Sequence, residues 1–175
     1  MPLRDRPARQ HVRLPGWDYR SPGPYAITVV TRHREWFFGE DVDGRVALSD
    51  AGAMVAGAWR ETVTVFPRVV LDAFVIMPNH VHAIVLLSRE GPAGNPTLGD
   101  VVHRFKSVTT RRHSKGVHGL DWQPYDRTLW QPRFYDHIIR DDADLDHCRR
   151  YIVANPANWE TDRDREPDRP RNSAD

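Results

Sequence analysis

The sequence predicts an α+β fold, an antiparallel sheet with helices packed on one face around a ferredoxin-like core. Three observations carry that prediction. Apolar runs rich in β-branched residues, each of strand length, occur at 25–31, 69–76 and 81–87, with Gly, Pro or Asn at their borders. Apolar residues recur at helical spacing in two stretches that follow Ser49 and Thr97. Only the turn Met77-Pro78-Asn79 and then His80 separate the second and third strand runs, so they pair as an antiparallel hairpin.

The elements follow in order. Residues 1–24 carry five arginines and five prolines against two acids and read as an extended basic arm. The run from Tyr25 to Thr31 is the first strand, and a short second one lies around Arg45–Leu48, after the turn residues Asp43 and Gly44. Ser49 is placed to cap a helix whose buried stripe is Val55, Ala58, Trp59, Val63 and Phe66, ended by Pro67. After the hairpin and a Gly/Pro/Asn-rich loop at 90–96, Thr97 and Asp100 have capping-box spacing. The helix they open buries Leu98, Val101, Val102, Phe105 and Thr109. Residues 116–127 read as loop, and 128–139 as a strand interrupted at Pro132. A last helix spans about 142–155, with Leu145, Cys148 and Ile152 inward, and Pro156 ends it. The chain thus divides into the arm, one domain at 25–159, and a tail at 160–175. Ten of that tail's sixteen residues are charged, and without a large apolar residue it is expected to lack fixed structure.

Composition narrows the function. No apolar run approaches the roughly 20 residues of a membrane span, and the Arg-rich start lacks the apolar core of a secretory signal. Cys148 is the single cysteine, which precludes an internal disulfide and fits a reducing cytoplasm; a small buried hydrophobe is its expected role. The net charge of +1 conceals local basic patches. Residues 104–115 hold Arg104, Lys106, Arg111, Arg112 and Lys115 and no acid, which suggests a polyanionic partner.

His80-Val81-His82 opens the third long strand. Side chains alternate along a strand at about 3.3 Å per residue, so the imidazoles share one face with Cα atoms roughly 6–7 Å apart and can converge on one metal ion. Val81 then points into a core. On the last helix His147, Tyr151 and Asn155 are four apart and form one polar stripe. Two histidines and an amide oxygen suit a divalent metal, with the tyrosine as attacking group; equally, Tyr151 can simply cover the edge of the core.

The motifs Met77-Pro78-Asn79-His80-Val81-His82, Phe105-Lys106, the run from Trp130 to Arg140 and Arg150-Tyr151-Ile152-Val153-Ala154-Asn155-Pro156 carry a resemblance. In this order the chain resembles the single-tyrosine transposases of the HUH nuclease superfamily, and most of all their REP-associated branch. The resemblance implies an HUH core with His80, His82 and Asn155 as ligands of Mg²⁺ or Mn²⁺ and Tyr151 as nucleophile. Asn155, where many insertion-sequence relatives have glutamine, favours the REP-associated branch. His147 is a candidate base or support for Tyr151. Tyr135 is a rival nucleophile without an amide four residues on.

The implied reaction is cleavage and rejoining of single-stranded DNA that carries a palindromic hairpin, through a 5′-phosphotyrosine bond. Arg104, Lys106, Arg111, Arg112 and Lys115 are candidate phosphate contacts, and Trp130, with Trp122 and Tyr125, candidate stacking platforms. A cytoplasmic, nucleoid-associated monomer or homodimer is expected. The alternatives are a hairpin-binding protein that does not cleave and, more remotely, a metal-dependent phosphodiesterase.

Overall fold

The structure, a computed structural model, describes residues 14–88 and 96–167. The first part of the basic arm, most of the 90–96 loop and the last eight residues of the tail lie outside the described residues. The element order is β1 (Gly23–Val30), β2 (Gly39–Val42), β3 (Arg45–Leu48), α1 (Asp50–Arg60), α2 (Thr62–Val65), β4 (Val69–Met77), β5 (His80–Leu87), α3 (Leu98–Gly119), β6 (Tyr135–Ile138) and α4 (Asp142–Ala154). Short 3₁₀ turns lie at Arg32–Arg34 and Pro156–Thr161.

Both predicted caps form. Ser49 accepts a hydrogen bond from the Gly52 N–H, and Thr97 and Asp100 make the reciprocal capping box. The sheet has the order β4-β5-β1-β6, and every neighbouring pair is antiparallel. Each of the two long crossovers, β1 to β4 and β5 to β6, skips one strand, which is the ferredoxin-like arrangement. β2 and β3 form a separate hairpin.

Strand alternation sorts the side chains of the sheet onto two faces. Tyr25, Ile27, Val29, Ile76, Val81, Ala83 and Val85 join Val55, Trp59, Val101, Val102 and Phe105 in the main core under α1 and α3. The opposite face carries Ile84 with Ala26, Val75 and Leu86, against Ile152, Leu145 and Cys148 of α4. The α+β class and the antiparallel sheet are as expected, but the helices divide: the crossover helices share one face and α4 covers the other. An amphipathic stripe tells a helix to bury one side and says nothing about which face of the sheet it will cover.

Three boundaries differ from expectation. α3 runs on to Gly119 through residues expected to be loop. Of the expected strand at 128–139 only Tyr135–Ile138 pairs, since Pro132 lacks the N–H a ladder needs; Trp130 makes an isolated bridge with Thr31. The tail expected to lack structure is packed as far as residue 164, where Asp162 and Asp164 are both buried. Among the described residues no helix is long and apolar enough to cross a membrane.

Candidate active site

The two histidines lie where alternation requires, on the α4 face, while Val81 between them enters the main core. His80 and His82 are buried, and their rings meet edge to face with centroids 4.5 Å apart. Their Nδ1 atoms are both held. The Asn79 amide Nδ2 donates to the carbonyls of Arg34 (2.9 Å) and Asp164 (2.5 Å). That orientation turns Asn79 Oδ1 toward His80 Nδ1 at 2.8 Å. An amide oxygen only accepts, so His80 carries a proton on Nδ1, and Nε2 is the ring nitrogen left for a metal to take. His82 Nδ1 lies 2.8 Å from the hydroxyl of Thr28, its cross-strand partner. Both histidines are therefore oriented from behind, as ligands for a metal are.

α4 supplies the rest of the predicted stripe. The Tyr151 ring meets the His82 ring edge-on at 5.2 Å. Asn155 is the C-cap of α4, 1% exposed, and neither its Oδ1 nor its Nδ2 has a hydrogen-bond partner among the described residues. Leaving such a group unpaired costs about 1–3 kcal/mol, so this amide is suited to a ligand that would satisfy it. His147 is exposed one helical turn before Tyr151. Tyr135 pairs across the sheet with Thr28, so it faces the same side but stands on the edge strand β6.

α4 is fastened to the sheet by an ion pair. A bulge in β4, between Leu71 and Phe74, brings out Asp72, whose carboxylate receives Arg149 Nη2 at 2.6 Å and Nε at 3.1 Å. That guanidinium holds the Asp72 carboxyl below its usual range. In the first turn of α4, partial burial pushes the Asp144 carboxyl up, but hydrogen bonds from His137 and the Arg140 N–H leave it lowered on balance.

Sequence reasoning missed the segment after α4. The turn Pro156–Thr161 brings Trp159 against His80, with ring centroids 5.9 Å apart, and against Trp36 at 5.5 Å. Asp162 follows, and its Oδ1 accepts the Asp164 N–H at 2.8 Å. Arg34 Nε grips Asp164 Oδ1 at 3.2 Å, and Trp36 Nε1 donates to the Arg165 carbonyl at 2.8 Å. His33 and Arg34 hold positive φ values of 57° and 54°, a conformation uncommon outside glycine, and Arg34 reaches Asp164 from there. One atom each from His80, His82 and Asp162 lie within 4.8 Å of one another. Asn79 sits inside the histidine motif and could have been suspected; Asp162 is one acid among many in a charged tail.

The predicted DNA-contacting residues fare unevenly. Arg111 and Lys115 are exposed on α3 and Arg104 is half-buried there, on the layer across the sheet from the histidines. Arg112 is engaged with Glu61 through two bonds of 2.6 and 3.0 Å. Lys106 is not a free surface charge: its Nζ donates to the carbonyls of Gln131, Pro132 and Arg133 at 2.6–3.4 Å. Burial pulls the Lys106 ammonium down to about 8. Trp130 is 3% exposed, bonded through Nε1 to Thr109 Oγ1 and packed on Phe38 and Phe105. It belongs to the core and offers no face to a base. Trp122 and Tyr125 are also occupied, both against the His113 ring.

The chain is similar to known proteins. Residues 25–155 match the family described as IS200-like transposases. A Haemophilus influenzae protein with no assigned role is 33% identical over 171 residues, covering 88% of this chain and 91% of its own. A REP-associated tyrosine transposase of Escherichia coli K12 is 31% identical over 86 residues, 49% of this chain and 43% of that one. Among solved structures, a REP-associated tyrosine transposase bound to a REP hairpin superposes with a TM-score of 0.56 at 26% identity, covering 78% of this chain and 68% of the other.

Proposed function

Because the chain belongs to the IS200-like transposase family, we propose that it cleaves and rejoins single-stranded DNA beside a palindromic hairpin, with Tyr151 as nucleophile. The observation that carries this reading is the Tyr151 ring set against His82, beside a second oriented histidine. The hairpin-bound relative supports the substrate class.

The donor set fits a divalent metal. His80 and His82 would hold it through Nε2 and Asn155 through its amide oxygen, which would also satisfy that buried oxygen. Imidazole with amide and phosphate oxygens suits Mg²⁺ or Mn²⁺. When bound, the ion supplies Lewis-acid polarisation of the scissile phosphate.

The residues of the chain perform the transfer. The Tyr151 phenol oxygen attacks phosphorus, its proton passing to solvent or to His147, and a P–Oη bond forms. The P–O3′ bond breaks, and the departing oxygen takes up a proton to become a free 3′-hydroxyl. Since the phosphoester is conserved in the 5′-phosphotyrosine link, a 3′-hydroxyl can attack it in turn and join strands. A free tyrosine, with a pKa of about 10, is a weak nucleophile at neutral pH, so the nearby cation or base matters. Arg111 and Lys115 would hold the phosphate backbone.

The test is covalent capture. Labelled hairpin oligonucleotide with Mg²⁺ or Mn²⁺ is expected to give a denaturant-stable adduct with the wild type and with Tyr135→Phe, and none with Tyr151→Phe. His80→Ala should lose the adduct while keeping hairpin affinity. Tight binding without adduct would favour a non-cleaving hairpin binder, and cleavage that survives Tyr151→Phe would sink the tyrosine mechanism.

A further inference from the structure

We propose that the Asp162 carboxylate is a further ligand of the metal held by His80 and His82, an inference that rests on the metal-bearing reading above. Three observations point to it. Asp162 is 6% exposed, and one of its oxygens lies within 4.8 Å of a ring nitrogen of each histidine. Its Oδ1 is fixed by the Asp164 N–H, which sets the plane of the carboxylate. Asn79, whose Oδ1 orients His80, also donates to the Asp164 carbonyl, so one buried amide ties the histidine strand to the segment that carries Asp162.

This connection gives the residues around the site a common task. Arg34 and Asn79 each hold Asp164; Trp159 closes the gap between that segment and His80. The clasp delivers a carboxylate oxygen to two imidazoles whose Nδ1 atoms are already held. Charge decides what it adds. His80, His82 and Asn155 are neutral donors and leave a divalent ion with its full charge in a buried place, which is costly. A carboxylate halves that charge, and oxygen donors are what Mg²⁺ and Mn²⁺ prefer. Supporting side chains that orient metal ligands are the usual means of fixing such a site.

The test measures metal binding directly, without DNA, by calorimetric titration of the full chain with Mn²⁺. Asp162→Asn keeps the oxygen that accepts the Asp164 N–H and removes only the charge; it should weaken Mn²⁺ binding tenfold or more with an unchanged melting temperature. Asp162→Ser can still accept that N–H as a short turn residue but reaches no metal, and should weaken binding further. Asp162→Glu should recover part of the loss. If His80→Ala abolishes binding while Asp162→Asn and Asp162→Ser bind like wild type, the metal reading stands and Asp162 is structural only. If neither His80→Ala nor the Asp162 variants differ from wild type, or the wild type binds no Mn²⁺, both fall.

Discussion

The two faces of the sheet are built on different principles. Under α1 and α3 lies a broad apolar core with interlocked rings, among them Trp59 against Phe105 at 5.2 Å and Trp130 against Phe105 at 5.7 Å. Under α4 the buried apolar cluster reduces to Ile84, Ile139 and Ile152. Beside it the buried groups are mostly polar, His80, His82, Asn155 and Asp162, with the Trp159 ring against His80. β5 belongs to both sides, sending Val81, Ala83 and Val85 to one face and its histidines to the other. Stability and chemistry are thus separated by the thickness of one sheet. The rigid side holds the strand still, and the thin side can spend its volume on groups that would weaken a core.

The largest effect that tests this division is expected in the main core. Trp59 is fully buried, and Trp59→Ala should cost about 3–5 kcal/mol, as truncating a large buried ring does. Ile152→Ala on the other face should cost about 2 kcal/mol, the low end for such a truncation, because α4 can settle onto a thinner layer. Denaturant unfolding of the two variants checks the order. Equal losses would mean that α4 is as integral to the core as α1 and α3.

Much of the division was legible in the sequence, and its limits have physical causes. Alternation in β5 assigned Val81 and the histidines to opposite faces, and the spacing of Tyr151 and Asn155 put them on one stripe. Those are local signals. The face chosen by α4 depends on which side of the sheet the crossover helices leave open, a property of topology. Trp130 was misjudged because a strand tryptophan in a basic region resembles a stacking platform, whereas the Thr109 hydroxyl on α3 draws it inward. Asp162 was hidden in the tail because its neighbours, Asn79 and Arg34, contact that segment across more than eighty residues of sequence.

A smaller effect concerns acid. The Asp72 carboxyl lies below its usual value of 3.8, foremost through the hydrogen bond from Arg149. A lowered carboxyl contributes stability that is fully present above 3.8 and is lost as pH falls below that value through the folded pKa. Amide exchange is therefore expected to rise in α4 before it rises in α1 or α3 as the pH is taken below 3.8. Asp72→Asn should show the looser α4 at neutral pH and respond less in the acid window. Simultaneous loss of protection on both faces would contradict the separation.

The smallest effect reads the same separation through Cys148. Burial above all, with Asp144 adding to it, pushes this thiol up to about 11, so at neutral pH it is protonated and slow to react. The thiol is half-buried against the sheet, so a maleimide should label it faster whenever α4 lifts. If α4 opens by itself, Asp72→Asn should speed labelling several-fold while the unfolding transition stays close to that of the wild type. Local opening of this kind needs less free energy than global unfolding, because only the contacts of one helix are given up. If labelling instead follows global stability across Trp59→Ala, Ile152→Ala and Asp72→Asn alike, the two faces unfold as one unit. Tyr151 would then be held as firmly as the core, and admission of a DNA strand to the site would have to come from the clasp around Asp164 and not from α4.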